Sequence, residues 1–311
     1  MYYILLIIGF ILLIKGADYF VTGSSNLAKT LKISSLIIGL TIVSLGTSAP
    51  ETVVSTISSL KGANDISISN VIGSNIFNIL VVLGITSIIK PINKNKENII
   101  KDYTVMILSS IILLVFMCDR IINYDSINSI SRSESLLLIT MFIFYLYTLF
   151  NRNKNNVTQY KYHKFNIVDV LMLLSGLVSI ILGGDLVVRS AKVISISWGI
   201  SETLVGLTIV SIGTSLPELV TSIVAAYKKE TNIAIGNVIG SNIYNSLLVL
   251  GIAGTTSKII VNNYAIIDMI ILIIVYIILY IITLKQRTLS RKTGILLLIL
   301  YILFFIYIVN R

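Results

Sequence analysis

Residues 39–55 read GLTIVSLGTSAPETVVS, and residues 206–222 read GLTIVSIGTSLPELVTS. The two stretches lie 167 residues apart and agree at 13 of 17 positions. The same shift lays SNVIGSNIFNILVVLGI (69–85) over GNVIGSNIYNSLLVLGI (236–252), again with 13 of 17 identities, and places Asp18 over Asp185. Chance likeness between two apolar segments does not explain this. The matched positions include Gly, Ser, Asn, Pro and Glu, which hydropathy alone would not select. Outside these stretches the halves share little beyond hydropathy.

The rest of the chain says what solvent the repeats occupy. Of 311 residues, 55% are hydrophobic and only 12% charged, with a mean hydropathy of +0.93. A soluble domain carries about 25% charged residues, so this is an integral membrane protein. The net charge of +10 would suggest nucleic acid in a soluble chain; here Lys and Arg flank membrane spans and report topology. The single Cys118 excludes an internal disulfide, and the single His163, in a polar linker, excludes a His/Cys metal cluster. The opening MYYILLIIGFILLI lacks a basic leader and runs on into a full span, so it reads as a helix rather than a cleavable signal.

A spanning helix needs ~20 mostly apolar residues. Ten segments qualify, at about 2–26, 33–60, 66–89, 103–118, 133–150, 166–192, 200–227, 233–257, 263–284 and 293–309. The expected fold is an all-α polytopic membrane protein, ten transmembrane helices arranged as two five-helix repeats: residues 1–150, then a linker over 151–165, then residues 166–311. Five is odd, so the second repeat enters the membrane from the opposite side. Such inverted-topology repeats are the plan of many secondary transporters. Charge counts agree. The loops after spans 1, 3, 5, 7 and 9 hold 16 Lys and Arg; the termini and the loops on the other face hold seven. The positive-inside rule then places the 151–165 linker in the cytoplasm and both termini outside, in a multi-pass protein of the cell membrane.

The chain has three prolines. Pro91 is in a loop; Pro50 and Pro217 sit at equivalent places inside spans 2 and 7. A mid-helix proline removes one N–H and clashes with the carbonyl four residues back, which predicts a kink that frees the Gly46 and Gly213 carbonyls and loosens the backbone around Ser44 and Ser211. Broken backbone is tolerated at membrane depth only against protein or a water-filled cavity. Glu51 and Glu218 follow these prolines directly. A carboxylate at the bilayer centre costs roughly 3 kcal/mol on insertion scales, and neither Glu has an evident Lys or Arg partner in its span. The expected partner is a cation from solution. Ser44, Thr47, Ser48 and Glu51 fall three, four and seven residues apart and share one helix face; Ser211, Thr214, Ser215 and Glu218 repeat the pattern. Ser74/Asn78 and Ser241/Asn245 are i, i+4 pairs on spans 3 and 8. All these donors are oxygens. They select hard cations, Ca²⁺ with six to eight oxygens at ~2.3–2.6 Å, or Na⁺, over Mg²⁺, which gives up its water reluctantly. Two carboxylates balance one Ca²⁺.

The duplicated GTSAPE and GNVIGSNI-type elements resemble the two alpha repeats of the sodium/calcium exchanger family, in the larger cation/Ca²⁺ exchanger superfamily, over about 35–90 and 202–257. The resemblance implies Ca²⁺ at the centre between Glu51 and Glu218, with main-chain oxygens of Thr47 and Thr214. It implies Na⁺ sites lined by Ser48, Ser74, Ser215 and Ser241 and by the carbonyls of Ser44 and Ser211, with Asn78 and Asn245 facing the same centre. It also implies a fixed core of spans 2, 3, 7 and 8 across which spans 1 and 6 slide. Asp18 and Asp185, on those sliding spans, read as structural residues near the membrane edge rather than ligands. The family branch that also carries K⁺ has an acid at the Asn245 position, so K⁺ co-transport is not expected. The short linker leaves no room for the cytosolic Ca²⁺-sensing domains of animal exchangers.

The expected activity is antiport: Na⁺ enters down its gradient and Ca²⁺ leaves. The ions and the lipid bilayer are the expected partners; no nucleic acid, protein partner or prosthetic cofactor is implied. The alternatives are exchange of H⁺ or another cation for Ca²⁺ on the same scaffold, and a Ca²⁺ channel that needs no counter-ion. An intramembrane hydrolase using Ser48 or Ser215 lacks a base, since the core has no His and no Ser/Lys pair.

Overall fold

A computed structural model describes residues 2–93, 96–122, 127–155, 165–199, 211–286 and 288–310. In chain order its main helices are α1 (Tyr2–Leu31), α2 (Ser35–Thr47), α3 (Ala49–Leu60), α4 (Asn64–Ile89), α5 (Lys96–Phe116), α6 (Arg132–Asn155), α7 (Ile167–Ser197), α8 (Ser211–Thr214), α9 (Leu216–Tyr227), α10 (Thr231–Thr256), α11 (Asn263–Lys285) and α12 (Arg291–Val309). Among the described residues, eight are long and apolar enough to cross a membrane, nine when α2 and α3 count as one broken span. The expected seventh span, 200–227, is described only from Ser211, so the tenth crossing lies partly outside the described residues. So do His163 and most of the expected linker.

Several helices run beyond the spans expected from hydropathy. Lys96–Asp102 is helical rather than loop, because a polar run can continue a helix once it has left the hydrocarbon. α1 and α7 have 30 and 31 residues, about 45 Å each at 1.5 Å per residue. They exceed the ~30 Å hydrocarbon core and must tilt or protrude.

Burial separates a centre from a periphery. In the apolar windows of α10 and α4, 94% and 78% of residues are buried, against 33% in α1 and α7 and 22% in α12. α4 and α10 therefore form the core, and the Ile- and Leu-rich outer faces of α1, α7 and α12 meet lipid. α10 lies against α2 so closely that a Cβ on Gly236 would sit 2.6 Å from the Leu36 carbonyl oxygen. Small residues are what permit such approach in membrane helices.

The inversion is visible in how equivalent helices meet. On α1, Gly9, Gly16 and Gly23 face Gly183, Gly176 and Asp169 of α7 in turn. The partner number falls as the α1 number rises, so the two helices run antiparallel. A Cβ on Gly16 would lie 2.9 Å from the Gly176 carbonyl oxygen, so this seam depends on glycine. The same inversion relates two short antiparallel ribbons. One pairs Ile92–Asn93 with Thr288–Leu289, and the other pairs Ser129–Ile130 with Ile259–Ile260. Each ribbon ties a loop of one half to a loop of the other.

Candidate functional site

The two prolines break their helices where the sequence predicts a kink. Ser48 (φ −86°, ψ 11°) and Ser215 (φ −90°, ψ 4°) leave helical geometry, and α2 meets α3 at 47°. Pro50 and Pro217 thus fall in the first turn of new helices, where a missing N–H costs nothing and the fixed φ suits the start. Periodicity alone could not distinguish a bend from a restart. The restart matters electrostatically: Glu51 and Glu218 lie in the first turns of α3 and α9, where the helix dipole favours negative charge.

Both glutamates are fully buried, and each collects hydroxyls from both halves. Ser48 Oγ donates to Glu218 Oε1 at 2.8 Å, and Ser241 Oγ does so at 3.4 Å. Ser74 Oγ lies 3.2 Å from Glu51 Oε1, and Ser215 Oγ lies 3.4 Å from the same oxygen and 2.9 Å from Ser74 Oγ. Asn245 Nδ2 donates to Ser74 Oγ at 3.2 Å. Among the described residues no Lys, Arg or His forms an ion pair with either glutamate.

Four buried oxygens in this cluster have no hydrogen-bond partner: Glu51 Oε2, Glu218 Oε2, Asn78 Oδ1 and Asn245 Oδ1. Leaving a buried acceptor unpaired costs about 1–3 kcal/mol, more when it is charged. The four form a symmetric set of hard oxygen donors, two of them carboxylate oxygens, of the kind that suits a hard cation. Among the described residues there is no group of three or more His, Cys, Asp or Glu, so the charge available is that of two carboxylates. Asn78 and Asn245 each open a π-helical turn, Asn78–Val82 and Asn245–Val249. Such widened turns cluster at functional sites.

Not every expected residue joins the cluster through its side chain. Thr47 Oγ1 donates to Asn237 Oδ1 at 3.0 Å and Thr214 Oγ1 to Asn70 Oδ1 at 3.2 Å. Both hydroxyls are thus engaged by an Asn of the opposite repeat, and the Thr47 side chain also reaches Glu218. Ser44 Oγ donates within its own helix to the Thr41 carbonyl at 3.1 Å, and the Ser44 carbonyl accepts the Ser48 N–H at 3.0 Å. The Thr47 hydroxyl also lies 3.4 Å from that carbonyl. The side chain of Ser211 lies outside the described residues.

The structure also adds residues that the sequence reading passed over. Asn70 and Asn237 orient Thr214 and Thr47 and are themselves held by donation to Ser55 Oγ and Ser222 Oγ, 3.0 Å in each case. Asn75 and Asn242 cross between α4 and α10. All four Asn residues stand in the duplicated SNVIGSN and GNVIGSN strings. The available signal was that a buried Asn repeated in register needs a partner.

A cavity of about 450 Å³ lies beside the two helix breaks, lined among others by Pro50, Gly184, Asp185, Gly213, Thr214 and Pro217. Asp18 and Asp185, expected at the membrane edge, are half-exposed and ion-paired, to Lys228 at 2.8 Å and to Arg189 at 2.7 Å respectively.

This geometry has counterparts. The profile of the family described as Sodium/calcium exchanger protein matches residues 1–151 and 168–310. The chain belongs to that family. The exchanger is 31% identical to the sodium/calcium exchanger MaX1 of Methanosarcina acetivorans over 291 residues, covering 81% of this chain and 82% of that one. It is 38% identical to the putative antiporter CaxA of Alkalimonas amylolytica over 259 residues, 80% and 79% of the two chains. Its fold superposes on the sodium-calcium exchanger NCX_Mj with a TM-score of 0.85, at 34% identity and 97% coverage of each chain. Structures of NCX_Mj soaked with Na⁺, Ca²⁺ or Sr²⁺ match in the same way. Membership makes this chain a multi-pass membrane transporter of the cation/Ca²⁺ exchange type.

Proposed function

We propose that this exchanger moves Na⁺ against Ca²⁺ across the cell membrane by alternating access, normally extruding Ca²⁺. The observation that carries this reading is the set of four buried, unpartnered oxygens on Glu51, Glu218, Asn78 and Asn245. Glu51 and Glu218 supply the two charges that one Ca²⁺ requires, with main-chain oxygens of Thr47 and Thr214. Ser48, Ser74, Ser215 and Ser241, with the Ser44 and Ser211 carbonyls, serve flanking Na⁺. Because both ions need the same carboxylates, Na⁺ and Ca²⁺ occupancy exclude each other by charge. A loaded site is near neutral and lets α1 and α7 slide as one glycine-seamed pair over the core. A half-loaded site keeps net charge, and a buried net charge resists the passage.

In this reading residues 1–150 and 166–311 are the two repeats, joined by a cytoplasmic linker over 151–165, with both termini outside. The names of MaX1 and NCX_Mj, both sodium/calcium exchangers, support Na⁺ as the counter-ion.

The test is uptake of radiolabelled Ca²⁺ into vesicles holding the purified chain, driven in turn by outward Na⁺, K⁺ and H⁺ gradients. Uptake under the Na⁺ gradient alone is expected. Uptake driven by H⁺ would replace the assignment with H⁺/Ca²⁺ exchange, and uptake without any counter-ion would indicate a channel.

A further inference from the structure

Two buried residues of the duplicated GSNI motif have no role in the site described so far: Asn75 on α4 and Asn242 on α10, 1% and 0% exposed. We propose that they are positioning residues. Each fixes which end of a site amide faces the ions, and each does so across the boundary between repeats.

A carboxamide is nearly symmetric in shape but not in charge. Its oxygen ligates a cation and its NH₂ repels one, and a half-turn about Cβ–Cγ exchanges them. Something must therefore hold Asn78 and Asn245 with the oxygen inward. Asn78 Nδ2 donates to Asn242 Oδ1 at 3.1 Å, and Asn245 Nδ2 donates to Asn75 Oδ1 at 3.1 Å. Flipping either site amide would set two acceptor oxygens against each other.

The holding residues are fixed in turn by main-chain carbonyls, which cannot flip. Asn242 Nδ2 donates to the Asn75 carbonyl at 3.2 Å. Asn75 Nδ2 donates to the Asn242 carbonyl at 3.4 Å and to Ser246 Oγ at 3.1 Å. The main chain of one repeat thus fixes an amide of the other, and that amide fixes a site residue back in the first. What remains is the Oδ1 of Asn78 and of Asn245, both without a partner. This arrangement matches the outer partners that orient metal ligands elsewhere.

The proposal rests on the reading that these two oxygens face the transported ion. Its alternative is that Asn75 and Asn242 only pack the crossing of α4 with α10. A double-mutant cycle separates the two. In vesicles, Asn242→Ala is expected to raise the half-saturating Ca²⁺ concentration by about tenfold, with little change in maximal rate. In an Asn78→Asp background both terminal atoms are oxygens and orientation loses its meaning. There the same Asn242→Ala change is expected to raise half-saturation by less than about twofold, since the coupled part of the effect is gone. An equal increase in both backgrounds would assign Asn242 to packing alone and overturn the proposal. The mirror cycle, Asn75→Ala with Asn245→Asp, gives an independent measurement should either Asn242 variant fold poorly. Glu51→Gln serves as the control on the underlying reading. Retained transport in Glu51→Gln would overturn the site itself. Lost transport there, with additive Asn effects, would overturn only the positioning role.

Discussion

The centre of the molecule and its rim obey the repeat differently. At the centre the main cross-repeat contacts have twins 167 residues away. Ser48 on Glu218 answers Ser215 on Glu51, Thr47 on Asn237 answers Thr214 on Asn70, and Asn78 on Asn242 answers Asn245 on Asn75. At the rim the twins part. Asp18 binds Lys228, which also reaches Thr22, while Ser25 donates to Glu230 at 2.6 Å and Asn26 to Asp169 at 2.7 Å. These bonds tie α1 to α7 and to the segment ending α9. Asp185, the twin of Asp18, pairs with Arg189 on its own helix rather than with Lys61, the twin of Lys228, and the cavity lies on its side. Under the proposed alternating access, a site reached from both faces needs a centre much the same from each, while the rim is free to differ.

The largest expected effect comes from the centre. If it is symmetric in energy as in geometry, Glu51→Gln and Glu218→Gln should each reduce Na⁺-driven Ca²⁺ uptake to background, because each removes half the charge that balances Ca²⁺. Near-normal flux in one variant but not the other would break the equivalence of the two halves.

Next comes the glycine seam between α1 and α7. Gly16→Leu places a side chain where even a Cβ would lie 2.9 Å from the Gly176 carbonyl oxygen. Overpacking of this kind costs ~1–3 kcal/mol. The expected result is a fall in Ca²⁺ flux on the order of tenfold, with Ca²⁺ binding by the detergent-purified protein retained. Loss of both would mean that α1 and α7 also shape the site.

How far these regions could be read from sequence follows the same division. The clustering at the centre was legible because it was written twice: Glu51, Glu218, both prolines and the Ser and Asn residues beside them all sit in strings that repeat. The helix break at Ser48 was half legible, since a proline announces either a kink or a restart. The holding roles of Asn70, Asn75, Asn237 and Asn242 were not legible, because an Asn shows its partner only when two helices cross. The rim was least legible. Asp18 and Lys228 are 210 positions apart, and the local pattern around Ser25 and Glu230 has no twin, Lys192 and Ala63 standing in the equivalent places.

The rim also yields the finest test. Lys228→Ala removes bonds that tie α1 to the end of α9; under the proposed alternating access it should shift the population toward opening on the Asp18 face. A partly exposed ion pair is worth up to about 1 kcal/mol, which bounds the shift at about fivefold. Spin labels at Lys29 and Lys229 would read it as growth of a longer-distance population. Arg189→Gln acts on a pair within one helix, which movement of helices past one another need not break, and should change that distribution by less than about twofold. Equal shifts in the two variants would mean that the rim is as symmetric as the centre and that the closed face is held by packing instead.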